Sequence, residues 1–226
     1  GQADAEAGKP LKSDAIFRIY SMTKPITTVA AMMLYEEGKY QLDDPVAMYL
    51  PEFKDVQVYG EDGALVKPKS PMTIRHLMSH TSGLTYGVFG ASEVDKQYRA
   101  ANLLSGDLTL AEFTKKLSAL PLLFHPGEQW NYGFSTDVLG RIIEVVSGTT
   151  LDRYLDSEIF KPLRMTMTGF VATPAMRSRV VTVYGRAPDG KLQAQTPQLT
   201  PNYTTPGELL SGGGGLLSTP DDYLRF

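Results

Sequence analysis

Phe17-Arg18-Ile19-Tyr20-Ser21-Met22-Thr23-Lys24-Pro25 holds the chain's single Ser-x-x-Lys, at the head of an apolar run from Ile26 to Leu34. At helical spacing, residues three apart share a face, so the Lys24 amine can approach the Ser21 hydroxyl. A lysine amine partly desolvated at the rim of an apolar interior can accept a serine proton. The tetrapeptide alone also reads as a helix-capping serine followed by a solvated lysine, because both residues are common. Its surroundings favour the first reading. The flanks are apolar on both sides, so Lys24 leaves the head of a core helix. Pro25 disfavours α geometry at Lys24 and removes an early helical donor, which predicts a tight or distorted first turn.

Composition narrows the alternatives. With 226 residues, a formal net charge of -3 and a pI near 5.7, the chain has no basic footprint for nucleic acid. No Lys/Arg run points to a membrane surface, and no apolar stretch reaches the roughly 18 residues of a span. The absence of cysteine removes disulfides, Cys-zinc sites and thiol chemistry, and leaves the compartment open, with the cytoplasm favoured over the periplasm. Both ends read as cut. Thr219-Pro220-Asp221-Asp222 starts a helix well. The sequence stops about one turn later, where an isolated helix is unstable. A second chain or a further segment is therefore expected to complete the domain.

Along the chain, Ile16 to Tyr20 reads as a buried strand end or a tight connection. Thr27 to Glu37 reads as a core helix closed by Gly38, and Thr73 as the cap of a short helix. Thr85 to Gly106 reads as a long surface loop. Thr109-Leu110-Ala111-Glu112 is a capping box for a helix to about Leu120. Ser135 to Ser147 is a helix ended by Gly148, and Leu151 to Phe160 another. Residues 180–196 read as a hairpin around Pro188-Asp189-Gly190. With strand signals on the flanks and helices between, the expected division is 1–45 as part of an α/β lobe, 46–170 as a mainly helical lobe and 171–226 as a truncated return.

Tyr132, in Trp130-Asn131-Tyr132-Gly133, is one of twelve tyrosines and by spacing alone a core or rim aromatic. Block order raises its status. The segment around Ser21, then Leu77-Met78-Ser79-His80-Thr81-Ser82-Gly83-Leu84, then Pro126-Gly127-Glu128-Gln129-Trp130-Asn131-Tyr132, then Gly213-Gly214-Gly215-Leu216-Leu217-Ser218-Thr219 occur in sequence. Together they resemble the serine β-lactamase and penicillin-binding-protein superfamily, with the family VIII carboxylesterases as the nearest branch. The resemblance implies an α/β (α+β) fold, an antiparallel sheet flanked by helices with an inserted helical lobe, and C-terminal strands outside this chain. It implies that Ser21 is acylated, that Lys24 and Tyr132 share proton transfer in an order the sequence leaves open, and that the Ser21 N–H is half of the oxyanion hole. It implies no cofactor.

The sequence also departs from that pattern. Phe134 stands where the superfamily carries the asparagine of Tyr-x-Asn, which predicts a more apolar pocket and favours simple esters over β-lactams. Tyr86, Phe89, Trp130 and Phe134 are the candidate substrate-binding residues. The third motif, which would supply the second oxyanion donor, is absent; His125-Pro126-Gly127 matches a variant of it by letters only and reads as a turn. The expected activity is hydrolysis of small, short-acyl esters through an acyl-enzyme. The alternatives are a β-lactamase or D-alanyl-D-alanine carboxypeptidase, and a non-catalytic binding module. His76 and His80 are four apart like a metal pair, but Leu77 stands where a zinc protease needs its glutamate. Gly185 to Lys191 has phosphate-loop spacing without the following Ser/Thr, and no Gly-x-Ser-x-Gly occurs. The glycine run at 212–215 lacks the flanking elements of a phosphate site and reads as close backbone packing.

Overall fold

The computed structural model describes residues 1–60, 63–104, 108–195, 203–204 and 209–226. In chain order its elements are β1 (Gln2–Asp4), β2 (Lys9–Pro10), β3 (Phe17–Arg18), α1 (Thr23–Glu36), β4 (Val58–Tyr59), β5 (Leu65–Val66), α2 (Ile74–Met78), α3 (Glu93–Ala100), α4 (Leu110–Ser118), α5 (Ser135–Ser147), α6 (Leu151–Leu155), α7 (Pro174–Arg177), β6 (Tyr184–Arg186), β7 (Leu192–Ala194), β8 (Leu217–Ser218) and α8 (Pro220–Arg225). Among the described residues the strands pair as two-stranded antiparallel ladders, β1 with β2, β3 with β8, β4 with β5 and β6 with β7.

Helix α5 organises the core. Val138, Leu139, Ile142 and Ile143 recur at helical spacing and are fully buried. Each such side chain contributes about 1.5–3 kcal/mol by leaving water. They meet α1, α2, α4 and α6, so one helix is wrapped by four. From α1 come Ile26, Ala30, Ala31 and Leu34, and the alanines allow the α1 and α5 axes to approach closely. Gly148 closes α5 at φ +72, a left-handed position that a side chain other than glycine strains.

The β3–β8 ladder sets Phe17 opposite Ser218 and Arg18 opposite Leu217. Beneath it lies a second apolar cluster of Ile16, Ala172, Met176, Val180 and Leu217. This ladder positions the candidate site, since β3 leads directly to Ser21 and β8 follows the glycine run. The Ile19 N–H donates to the Leu216 carbonyl at 3.0 Å, which extends the pairing to the edge of that turn.

Most expected helices are present with close boundaries, including α4, α5 and the Thr73-capped α2. The hairpin forms as β6 and β7 around residues 187–191. Leu151 to Phe160 is α-helical only to Leu155 and continues as a π-helical turn, Asp156–Phe160. The expected loop from Thr85 to Gly106 is wrong in its middle, where α3 forms. Ser92 caps α3 and the Asp95 carboxylate returns a bond to the Ser92 N–H. That box uses aspartate where glutamate or glutamine is the usual partner. Its buried face, Val94 and Tyr98, is too short to show as periodicity. Helix α7, begun by Pro174, is also additional to the expected set.

Candidate active site

Chain geometry before α1 presents Ser21. Tyr20 has φ +44, in the sparsely populated left-handed region, and Tyr20–Met22 form one 3-10 turn. The expected distortion is therefore present but lies ahead of Lys24, which is itself helical. The turn leaves Ser21 exposed while its neighbour Lys24 is 8% exposed. The Lys24 ammonium donates to Ser21 Oγ at 3.2 Å and to the Gly213 carbonyl at 2.6 Å. A reachable hydroxyl beside a buried amine is the contact that the i, i+3 spacing implied.

Tyr132 comes to the same place from the loop before α5. Asn131 fastens that loop: its N–H donates to the His80 carbonyl at 2.9 Å and its side-chain amide to the Leu84 carbonyl at 3.1 Å. The Tyr132 ring centroid then lies 4.6 Å from Lys24 Nζ, and the Tyr86 ring 5.6 Å from it. Around Tyr132 stand His80 at 4.9 Å, Tyr86 at 5.5 Å, Trp130 at 6.2 Å and Phe89 at 6.4 Å between ring centroids. Trp130 and Phe89 are 67% and 73% exposed, an outward aromatic wall of the kind that marks an interaction site.

Phe134 is placed differently from the sequence reading. It is 3% exposed, with its ring against Tyr86 at 4.6 Å, Phe113 at 5.3 Å and Tyr98 at 6.4 Å. It supports Tyr86 from below instead of facing a bound molecule. The other sequence-derived candidates cluster around two of their number, Ser21 and Tyr86 beside Lys24 and Phe89 and Trp130 beside Tyr132, with Tyr132 itself against Lys24.

Asp137, Ser211 and the α1 threonines were missed by the sequence reading. Asp137, in the first turn of α5, accepts from Ser211 Oγ at 2.5 Å and from the Gly213 N–H at 3.1 Å. Burial, the largest influence, holds its carboxyl above the ordinary carboxylate range against the pull of those two donors and the Lys24 charge. On α1, Thr27 Oγ1 donates to the Gly212 carbonyl at 2.8 Å and Thr23 Oγ1 accepts from the Leu216 N–H at 3.2 Å. The glycine run is thus close backbone packing, as read, but packing directly on Lys24. A first-turn acid is explained well enough by the helix dipole, which hid Asp137. The informative signal was four consecutive glycines following a serine.

His76 is occupied as a cap, its Nδ1 accepting from the Thr73 N–H at 3.2 Å. His80 has φ +56 and a buried Nδ1 without a hydrogen-bond partner. Burial first, and then the Lys24 charge, hold His80 below the ordinary imidazole value of 6.5; burial also lowers His76. A depressed folded pKa means that the unfolded chain binds the proton first as pH falls. This contribution to stability is complete above about 6.5 and is lost as pH drops toward the folded values. Denaturant midpoints measured from pH 7.5 down to 5 are expected to fall, and to fall less steeply in His80→Asn, since asparagine tolerates the left-handed backbone. An unchanged slope in that variant would assign the acid loss to other groups.

The same arrangement has relatives. The β-lactamase family matches this chain over residues 1–226. The chain belongs to the β-lactamase family. Within the family it is 35% identical to esterase EstB of Burkholderia gladioli, over all of this chain and 59% of EstB. It is 32% identical to the acyltransferase CalJ of Penicillium decumbens, over 95% of this chain and 52% of CalJ. Among solved structures, EstCE1, a hydrolase with promiscuous acyltransferase activity, superposes with a TM-score of 0.84 at 31% identity, covering all of this chain and 61% of EstCE1. The chain therefore spans somewhat more than half the length of these family members and carries a β-lactamase-like fold of helices and small antiparallel ladders. Among the described residues no helix is long and apolar enough to cross a membrane.

Proposed function

We propose that this chain carries the nucleophile and proton-transfer groups of a serine carboxylesterase that cleaves small, short-acyl esters. The observation that carries the reading is the exposed Ser21 hydroxyl 3.2 Å from the buried Lys24 amine, with the Tyr132 ring 4.6 Å from that amine. Ser21 Oγ adds to the ester carbonyl carbon while its proton passes to the Lys24 amine or the Tyr132 phenolate oxygen. The tetrahedral adduct collapses, the C–O bond to the alcohol breaks, and the departing alkoxide takes up that proton. Water then adds to acyl-Ser21, gives a proton to the same base, and the carboxylic acid leaves as Ser21 Oγ regains a proton. The Ser21 N–H supplies one oxyanion donor, and a segment outside this chain supplies the second. EstB and EstCE1 support an ester substrate. The wall of Trp130, Phe89 and Tyr86 supports an uncharged one.

A second reading replaces water with an alcohol in the last step, giving acyl transfer; CalJ and the transferase activity of EstCE1 favour it. The test is a parallel assay of the intact protein with nitrophenyl butyrate and a chromogenic cephalosporin, each with and without a primary alcohol. We expect butyrate release with little cephalosporin turnover. Faster cephalosporin turnover would make the protein a β-lactamase or a D-alanyl-D-alanine carboxypeptidase. A butyrate ester of the added alcohol as main product would establish the transferase.

A further inference from the structure

Asp137 is a buried charged group that this mechanism leaves unused. It is 1% exposed, and beside its own α5 N–H it accepts from Ser211 Oγ and the Gly213 N–H, both in the glycine segment. A Cβ on Gly213 would come within 2.4 Å of the Asp137 carboxylate, so that main chain lies directly against the acid. The carbonyl of the same Gly213 takes the Lys24 ammonium at 2.6 Å. One residue therefore links the acid and the amine, held by Asp137 through its N–H and by Lys24 through its carbonyl. A carboxylate serving only the α5 dipole would make no demand on Gly213.

We propose that Asp137 is a positioning residue for Lys24: it fixes Gly213, and through it the approach of the amine to Ser21. The proposal rests on the reading of Ser21 as nucleophile and Lys24 as its proton-transfer partner. Among the described residues, the groups around Lys24 include the Ser21 hydroxyl, the Gly213 carbonyl, the Tyr132 and Tyr86 rings and His80. Exchanging the Asp137 carboxyl for an amide loosens the hold on the Gly213 N–H and, through the Gly213 carbonyl, the 3.2 Å approach of the amine to Ser21.

The test is Asp137→Asn, which keeps the shape and replaces the carboxyl by an amide. The readouts are KM and kcat per fluorophosphonate-labelled site for nitrophenyl butyrate, with thermal unfolding as a check on folding. The expected result is a kcat per labelled site lower by about tenfold to a hundredfold at little-changed KM. A purely structural role would lower the amount of active protein and leave kcat per labelled site unchanged, and that outcome overturns the proposal. Should this variant fail to fold, Ser211→Ala removes one tether only; it is expected to slow fluorophosphonate labelling by about fivefold, and wild-type labelling would overturn the proposal. Ser21→Ala separates the two layers. Turnover retained without Ser21 sinks the esterase reading, whereas an inert Ser21→Ala beside an unperturbed Asp137→Asn sinks this inference alone.

Discussion

Ser21→Ala is expected to end fluorophosphonate capture and to lower kcat/KM for nitrophenyl butyrate by about 10⁴-fold or more, as loss of a nucleophile does elsewhere. The structure makes this a clean experiment. Ser21 is exposed and its hydroxyl bonds to Lys24, so truncation opens no cavity in the core. An exposed change of this kind alters stability by about 0.5 kcal/mol or less. A wild-type unfolding midpoint together with abolished labelling assigns the loss to chemistry. Full retention of hydrolysis would refute the covalent mechanism and leave the fold as a binding module.

Lys24→Met is expected to act on two quantities at once. Methionine keeps the length and apolar stem of lysine but has no donor, so Ser21 loses its proton partner and kcat/KM falls by about 10³-fold. The Gly213 carbonyl also loses the donor at 2.6 Å. A buried acceptor left unpaired costs about 1–3 kcal/mol, so the variant is expected to unfold at lower urea concentration even though a buried charge has been removed. Greater stability in Lys24→Met would show that desolvation of the amine outweighs its bonds. The contrast with Ser21→Ala distinguishes a residue expected only to react from one that also ties α1 to the glycine segment.

Local physics made some features legible and concealed others. The Ser21–Lys24 contact follows from i, i+3 geometry, and α5 follows from its apolar period and Gly148. The hairpin of β6 and β7 follows from Pro188-Asp189-Gly190. Tyr132 became legible only through the order of separated blocks, because nothing near it in sequence points to Lys24. Helix α3 was concealed by a capping box built on Asp95 and by a buried face of few residues. Phe134 was read as a pocket wall from its alignment with a polar position, but an apolar ring gains more by entering the core, and it did. Asp137 and Gly213 are 76 residues apart, and their bond requires α1 and α5 to be packed before it exists.

The strip of main chain from Ser211 to Leu217 has one more consequence. The Leu216 carbonyl holds the chain two residues before Ser21, and the Gly213 carbonyl holds Lys24. Ser21 and Lys24 are thus registered against the same short ribbon, largely by backbone atoms that substitutions do not remove. The candidate substrate-binding groups, Tyr86, Phe89 and Trp130, are side chains on other loops. Substrate preference can therefore drift through those loops, by mutation or by design, while the spacing of the reacting atoms stays fixed.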